Sequence, residues 1–455
     1  MEKKNSDMTV GKPGKVIFAF AIPLVLSGVF QQLYSIADSV IVGNFVGADG
    51  LAAVGVSFPI LMLFIAVAMG TASGCSVVIS RLFGAKMLKD MKTAVSTSVI
   101  LTVGLSIVLS VLGIIFLNPI MNFMNTPLDI FSISASYLKV GMIAVIFVFI
   151  YNGAMGAFLG MGDSKTPLFL LVFASIFNVV LDLIFVAVLN FGVMGAAWAT
   201  FIAQGSSGIL ALICLRVKLS KIKTEEKNKL FDLKIAKMIC KIAVPSIVQQ
   251  SIVSIGQLLV QIIINSYGSD VVAGYSAAVK INSFISMPIG NMSNALSNFT
   301  AQNLGANKVE RVKQGYKSTL KMTLGFCIVV IISIFMFGDN LIGIFINGDS
   351  KTNMEVINIG VEYLQTVGIF YIVLAFMMIA NGVLRGAGDM KIFMCSTMSD
   401  LFIRVSASYI LNIFLGVQAV WIAIPIGWSI GMIISIVRYK SNLWRKKMQL
   451  CTDDI

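Results

Sequence analysis

The stretch IPLVLSGVFQQLYSIADSVIVG, residues 22–43, is long and apolar enough to cross a bilayer, yet it holds a carboxylate, Asp38. Gln31, Tyr34 and Ser35 precede Asp38 by seven, four and three residues. On a helix of 3.6 residues per turn these four side chains share one face. The segment therefore reads as a membrane helix with a polar stripe running to an acid. A charge at membrane depth is costly and normally faces a bundle interior or a water-filled cavity. The rest of the chain has to supply that surrounding.

Composition sets the class. Of 455 residues, 57% are hydrophobic and 12% charged, against about 25% charged in a typical soluble domain. This predicts an all-α polytopic membrane protein. A bilayer core about 30 Å thick needs roughly 20 apolar residues per helix. Such segments fall at 16–42, 51–80, 93–117, 132–158, 166–189, 193–215, 238–265, 271–300, 318–338, 357–384, 392–415 and 419–438, twelve in all. The first is too long for a signal-peptide core and lacks a convincing cleavage site, so it is expected to remain as a membrane helix.

The net charge of +13 follows the loops and does not mark a nucleic-acid partner. Of the 34 basic residues, only Lys139, Lys280, Lys351 and Arg404 lie outside one set of alternate loops and the two termini. Lys3, Lys4, Lys12 and Lys15 precede the first segment. The linker after the sixth carries Arg216, Lys218, Lys221, Lys223, Lys227, Lys229, Lys234, Lys237 and Lys241. Loops of the opposite parity hold Lys351 alone. By the positive-inside rule, both termini are expected in the cytoplasm.

The chain also repeats. Pro23 corresponds to Pro245, Gly84-Ala85 to Gly305-Ala306, Tyr137-Leu138 to Tyr363-Leu364, and Gly160-Met161-Gly162-Asp163 to Gly386-Ala387-Gly388-Asp389. The offsets are 222, 221, 226 and 226, in order. Two six-helix bundles follow, related by a pseudo-twofold axis along the membrane normal. Residues 1–215 and 238–455 form the lobes, and 216–237 the linker. Parallel repeats of this kind occur in transporters that work by alternating access.

The chemistry of the two halves differs. Asn178 and Asp182 lie one turn apart in the fifth segment and share a face. With Asp38 they make an all-oxygen set that suits a hard cation. The same two carboxylates can instead hold one shared proton. Histidine is absent, so an imidazole cannot do this work. In the second half the matching stripe is Gln250, Ser254, Gln257 and Gln261, all neutral. Asn178 and Asp182 map onto Arg404 and Ser408 at the offset of 226. Asp400 and Arg404, one turn apart, read as a structural ion pair that Lys280 could join. Gln31, Tyr34, Gln250, Gln257, Asn282 and Asn291 are candidates for a substrate path. Interhelical hydrogen bonding explains each of them equally well.

Six scattered cysteines (Cys75, Cys214, Cys240, Cys327, Cys395 and Cys451) form no C-x-x-C pair and indicate neither a disulfide framework nor a zinc site. No Walker A, H-E-x-x-H or serine-hydrolase motif occurs, so neither an ATPase nor a protease is expected, and no cofactor.

At this point the chain resembles the multidrug and toxic compound extrusion (MATE) transporters over nearly its whole length. The residues that carry the likeness are the first-segment pattern Pro23, Gln31, Leu33, Tyr34, Asp38, Val42 and Gly43, followed by LAAVG at 51–55. SRLFGA at 80–85 has its echo in AQNLGA at 301–306, and LRGAGD at 384–389 in LGMGD at 159–163. The resemblance implies a secondary active antiporter that exports cationic or amphipathic compounds in exchange for Na⁺ or H⁺. It also implies a cation site at Asp38, Asn178, Asp182 and Thr200, and a multi-pass place in a prokaryotic plasma membrane. The acids that another branch of the family carries in the second lobe are not matched. The chain is expected to act as a monomer. A lipid-linked precursor flippase of the same broader superfamily is the alternative, and a non-transporting scaffold the third reading.

Overall fold

The computed structural model describes residues 7–124, 126–224, 226–345 and 351–447. Lys3, Lys4 and Cys451 lie outside them. Among the described residues the chain is helical and has no strand. The helices are α1 (Pro13–Val46), α2 (Ala48–Gly84), α3 (Leu88–Ile115), α4 (Leu117–Phe123), α5 (Leu128–Gly160), α6 (Lys165–Asp182), α7 (Gly192–Ser220), α8 (Leu233–Asn265), α9 (Ser269–Gly305), α10 (Val309–Gly343), α11 (Lys351–Gly368), α12 (Tyr371–Gly386), α13 (Met390–Leu415) and α14 (Gln418–Lys440). A π-helical stretch, Leu183–Val188, continues α6, and a 3₁₀ turn, Leu443–Lys447, follows α14.

Ten of these helices are long and apolar enough to span a bilayer, and α11 with α12 makes an eleventh, bent span. The remaining predicted segment is α9. Its 37 residues reach about 55 Å at 1.5 Å per residue, but it is too polar to pass the same test. Its Asn298, Gln302 and Asn303 are buried against protein, which is where a long helix can carry amides without exposing them to lipid.

The tenth segment, expected as one helix over 357–384, is broken. α11 and α12 meet at a 52° bend around residues 369–370. Gly368 ends α11, and the Phe370 N–H turns back to the Val367 carbonyl at 3.0 Å. A glycine, which costs about 1 kcal/mol inside a helix, is where such a bend is least expensive.

Backbone geometry repeats as the sequence does. Gly47 (φ 88°) precedes α2, and Gly268 (φ 92°) precedes α9. Gly162 (φ 76°) and Gly388 (φ 77°) sit in the turns before α6 and α13. A left-handed residue is needed at each turn, and glycine takes that conformation without a Cβ clash.

Two compact units divide the chain. The first comprises Met1–Asp7 and Ile22–Gln250, the second Met8–Ala21 and Ser251–Ile455. α1 and α8 are thus each shared: the beginning of each helix packs with one unit and its continuation with the other. In the first unit α5 packs on α2, α3 and α7, and α7 packs on α6. In the second, α9 packs on α10, α11 and α12, and α14 packs on α12 and α13.

Each unit closes its Gly-x-Gly-Asp turn with an ion pair to its last long helix. Asp163 pairs with Lys218 of α7, and Asp389 accepts from Arg438 Nε at 2.6 Å. Asp163 also accepts from the Lys165 and Thr166 N–H groups, each at 3.1 Å, and from the Thr166 hydroxyl at 2.7 Å. Burial pushes the Asp163 carboxyl up, but Lys218 and Thr166 outweigh it and hold the group below the usual carboxylate range. A depressed carboxylate stabilises the fold above its unfolded pKa, and the contribution disappears as pH falls through the folded value. Lys218→Met should therefore cost about 1–2 kcal/mol at pH 7. The gap between the two chains in thermal melts should shrink as pH drops below about 4.

Candidate functional site

The first unit gathers the acids. α1 supplies Tyr34 and Asp38, α5 supplies Tyr137, α6 supplies Asn178 and Asp182, and α7 supplies Thr200. Ile41 and Val42 of α1 pack with Val186 and Ala196, which fixes the Asp38 end of α1 against α6 and α7. Asp182 is the last residue before the π-helical stretch. Such a stretch shifts the helical phase by a residue, and π turns are frequent at functional sites. Gly195 of α7 approaches the backbone at Phe185 so closely that a Cβ there would lie 3.1 Å from its carbonyl.

Asp182 is wholly buried and Asn178 is 1% exposed. The Asp38 and Asp182 carboxyls lie within hydrogen-bonding reach of each other, and the charged group acting on each is the other. With its amide turned to satisfy both ends, Asn178 donates to Asp182 Oδ2 at 2.6 Å and accepts from the Thr200 N–H at 3.2 Å. In the opposite orientation the amide nitrogen reaches Thr200 Oγ1 at 3.4 Å. The Asn178 oxygen then faces Asp182 Oδ2, and a contact that short requires a hydrogen on the carboxyl. The Tyr34 hydroxyl is within hydrogen-bonding reach of Thr200. Asp38 Oδ1 and Asp182 Oδ1 are buried with no hydrogen-bond partner. Leaving buried carboxylate oxygens bare is expensive. A proton or a small hard cation removes the cost.

The expected quartet Asp38, Asn178, Asp182 and Thr200 thus converges, and Tyr34 with it. Tyr137 is the residue that sequence reasoning missed. It is buried, and both acids act on it. The repeat pairs it with Tyr363, which marks a shared scaffold position and not a place beside the acids. In the second unit Tyr363 lies instead within electrostatic reach of Arg404. One scaffold position therefore serves opposite charges in the two units.

The other candidates do not gather in this way. Gln31 and Gln257 are exposed. Asn282 accepts from the Tyr371 hydroxyl at 2.7 Å, and Asn291 is partly buried. Arg404 NH2 donates to both oxygens of Asp400, at 2.9 and 2.7 Å. Lys280 does not join that pair; its ammonium sits over the Phe345 ring, 5.6 Å from the centroid. Among the described residues no cluster of three or more His, Cys, Asp or Glu side chains could hold a metal ion.

The MatE family model matches residues 23–184 and 245–410, once in each half of the duplication. The chain belongs to the MatE family. Its members are transporters and not enzymes. Among curated relatives, the probable multidrug resistance protein YoeA of Bacillus subtilis is 28% identical, over 94% of this chain and 93% of that protein. YpnP of the same organism, also described as a probable multidrug resistance protein, is 26% identical over 99% and 100%. Among solved structures, a MOP superfamily transporter from Pyrococcus furiosus superposes with a TM-score of 0.89 at 25% identity, covering 98% of this chain and 99% of that one. That transporter is described as having a binding pocket of reversed polarity that suggests a different function. This MatE chain is accordingly a multi-pass membrane transporter of a multidrug efflux family. The family match does not favour a flippase of lipid-linked precursors.

Proposed function

We propose that the chain is a secondary active exporter that exchanges organic compounds for H⁺ or Na⁺, and that the exchanged cation rides at Asp38, Asn178, Asp182 and Thr200. The observation that carries this reading is the pair of facing carboxylates, each with a buried oxygen lacking a partner. Two carboxylates in contact favour uptake of a shared proton. The Na⁺ form of the reading is supported by the amide of Asn178 and the hydroxyl of Thr200, which add oxygens to the carboxylates.

The exported compounds are cationic or amphipathic, in keeping with the multidrug descriptions of the relatives. Gln31, Tyr34, Gln250, Gln257, Asn282 and Asn291 are offered as polar points along their path. The chain works as a monomer in the plasma membrane of a prokaryote, with both termini in the cytoplasm.

The test uses purified chain in liposomes, with ethidium as the transported organic cation. Accumulation is expected under an imposed pH gradient or under an imposed Na⁺ gradient, and the gradient that works names the coupling ion. No accumulation under either would refute the exchange.

A further inference from the structure

The second unit grips the start of α1. Residues 8–11, just before the helix, lie in a polar socket built by the end of α9 and the start of α10. The Met8 N–H donates to Gln302 Oε1 at 3.0 Å, and the Met8 carbonyl accepts from Asn303 Nδ2 and Arg311 NH2, each at 3.2 Å. The Thr9 carbonyl accepts from Lys308 Nζ at 3.0 Å, and the Gly11 carbonyl from Arg311 NH1 at 2.8 Å. Asn303 Oδ1 accepts from Arg311 Nε at 2.9 Å, which orients the guanidinium. Gln302 and Asn303 are fully buried, as is Met8 to within 1%. Three of these bonds to the strap have cationic donors, and charge-assisted bonds are roughly twice as strong as neutral ones.

The grip continues into the helix. A Cβ on Gly14 would lie 3.1 Å from Ser318 Cβ, and a Cβ on Gly315 would lie 3.2 Å from Ile17 Cδ1. Ile17, Phe20 and Ala21 are buried. From Ile22 onward the same helix belongs to the first unit and carries Asp38. Pro23 stands at that junction and has no N–H to give the Ala19 carbonyl, so one bond of the ladder is missing there, but α1 continues through it from Pro13 to Val46 and carries a displacement along its axis.

We propose that Arg311 and Asn303 are positioning residues for transport: by holding Met8–Gly11 they anchor α1 to the second unit, so that loading of Asp38 is felt there. This rests on the exchange reading above. It assigns work to residues that touch neither the cation nor the exported compound.

The test compares two activities of the full chain in liposomes. One is accumulation of ethidium driven by the working cation gradient. The other is exchange of ethidium across the membrane with no gradient. In Arg311→Met, and separately in Asn303→Ala, accumulation should fall by roughly tenfold or more, the scale of losing charged hydrogen bonds. Exchange should persist, and thermal melts in detergent should report a folded chain. Arg311→Lys, which keeps a cationic donor, should recover part of the accumulation. Unchanged accumulation in a folded Arg311→Met chain would overturn the anchor. Parallel loss of exchange and accumulation would overturn it too, since it would make the residue merely structural. A wild-type chain with no gradient-driven accumulation would strike the exchange reading instead.

Discussion

Asp38→Asn should reduce drug resistance in a sensitive host to that of cells lacking the chain, with the protein still present in the membrane at its usual level. Asparagine has nearly the shape of aspartate and keeps two polar atoms, so the packing of Ile41 and Val42 on α6 and α7 has no reason to change. What the substitution removes is the ionisable group. Asp182 then loses the charged neighbour that acts on it, and the site can no longer exchange a cation between two carboxylates. Asp182→Asn should have the same consequence from the other helix. A folded Asp38→Asn chain with full resistance would show that the acid pair has no part in transport.

A second large effect is expected far from the acids. A Cβ added to Gly386, at the end of α12, would lie 2.3 Å from the Ser297 carbonyl oxygen and 2.8 Å from Thr300 Cβ. One turn earlier, a Cβ on Gly382 would lie 2.7 Å from the Ser293 carbonyl. These obstacles are mostly backbone of α9, so no side chain can rotate away. Small residues four apart are what allow two membrane helices to approach this closely. Gly386→Val should therefore cost about 3 kcal/mol or more, seen as low yield and a lowered melting temperature in detergent. Gly104 in α3 provides the contrast, because nothing lies within 4 Å of where its Cβ would be. Gly104→Ala should stay within about 1 kcal/mol of the parent.

Much of this architecture could be read from the residues. Apolar runs of bilayer length gave the helices, and the spaced echoes from Pro23/Pro245 to Asp163/Asp389 gave the duplication. The structure repeats even the left-handed turns at Gly162 and Gly388. Asp38 and Asp182 were legible because ionisable groups in an apolar run are rare, and Asn178 because it lies one turn before Asp182 on the same face. Thr200 was reached only through the family resemblance, since a threonine in a membrane helix usually satisfies its hydroxyl on its own backbone, as Thr71 does on Val67 at 2.8 Å.

Other features carry no such signal. Tyr137 reads as one more aromatic in an apolar segment, and only the fold brings α5 beside α1 and α6. The α11–α12 bend depends on tertiary packing as well as on Gly368, because other glycines such as Gly104 and Gly141 lie within unbroken helices. The anchoring of Met8–Gly11 is made largely to main-chain carbonyls, which every residue possesses, so no side-chain pattern announces it. Lys280 misled for the opposite reason. A charge in an apolar segment invites a charged partner, but this one lies over a phenyl ring.

Cation movement triggered by the exported compound tests the central claim most directly. Liposomes holding the purified chain and an internal dye that senses the coupling cation can be challenged with ethidium. The account predicts a rapid cation flux through the unmodified chain and none through Asp38→Asn or Asp182→Asn. Equal flux through all three chains would contradict it.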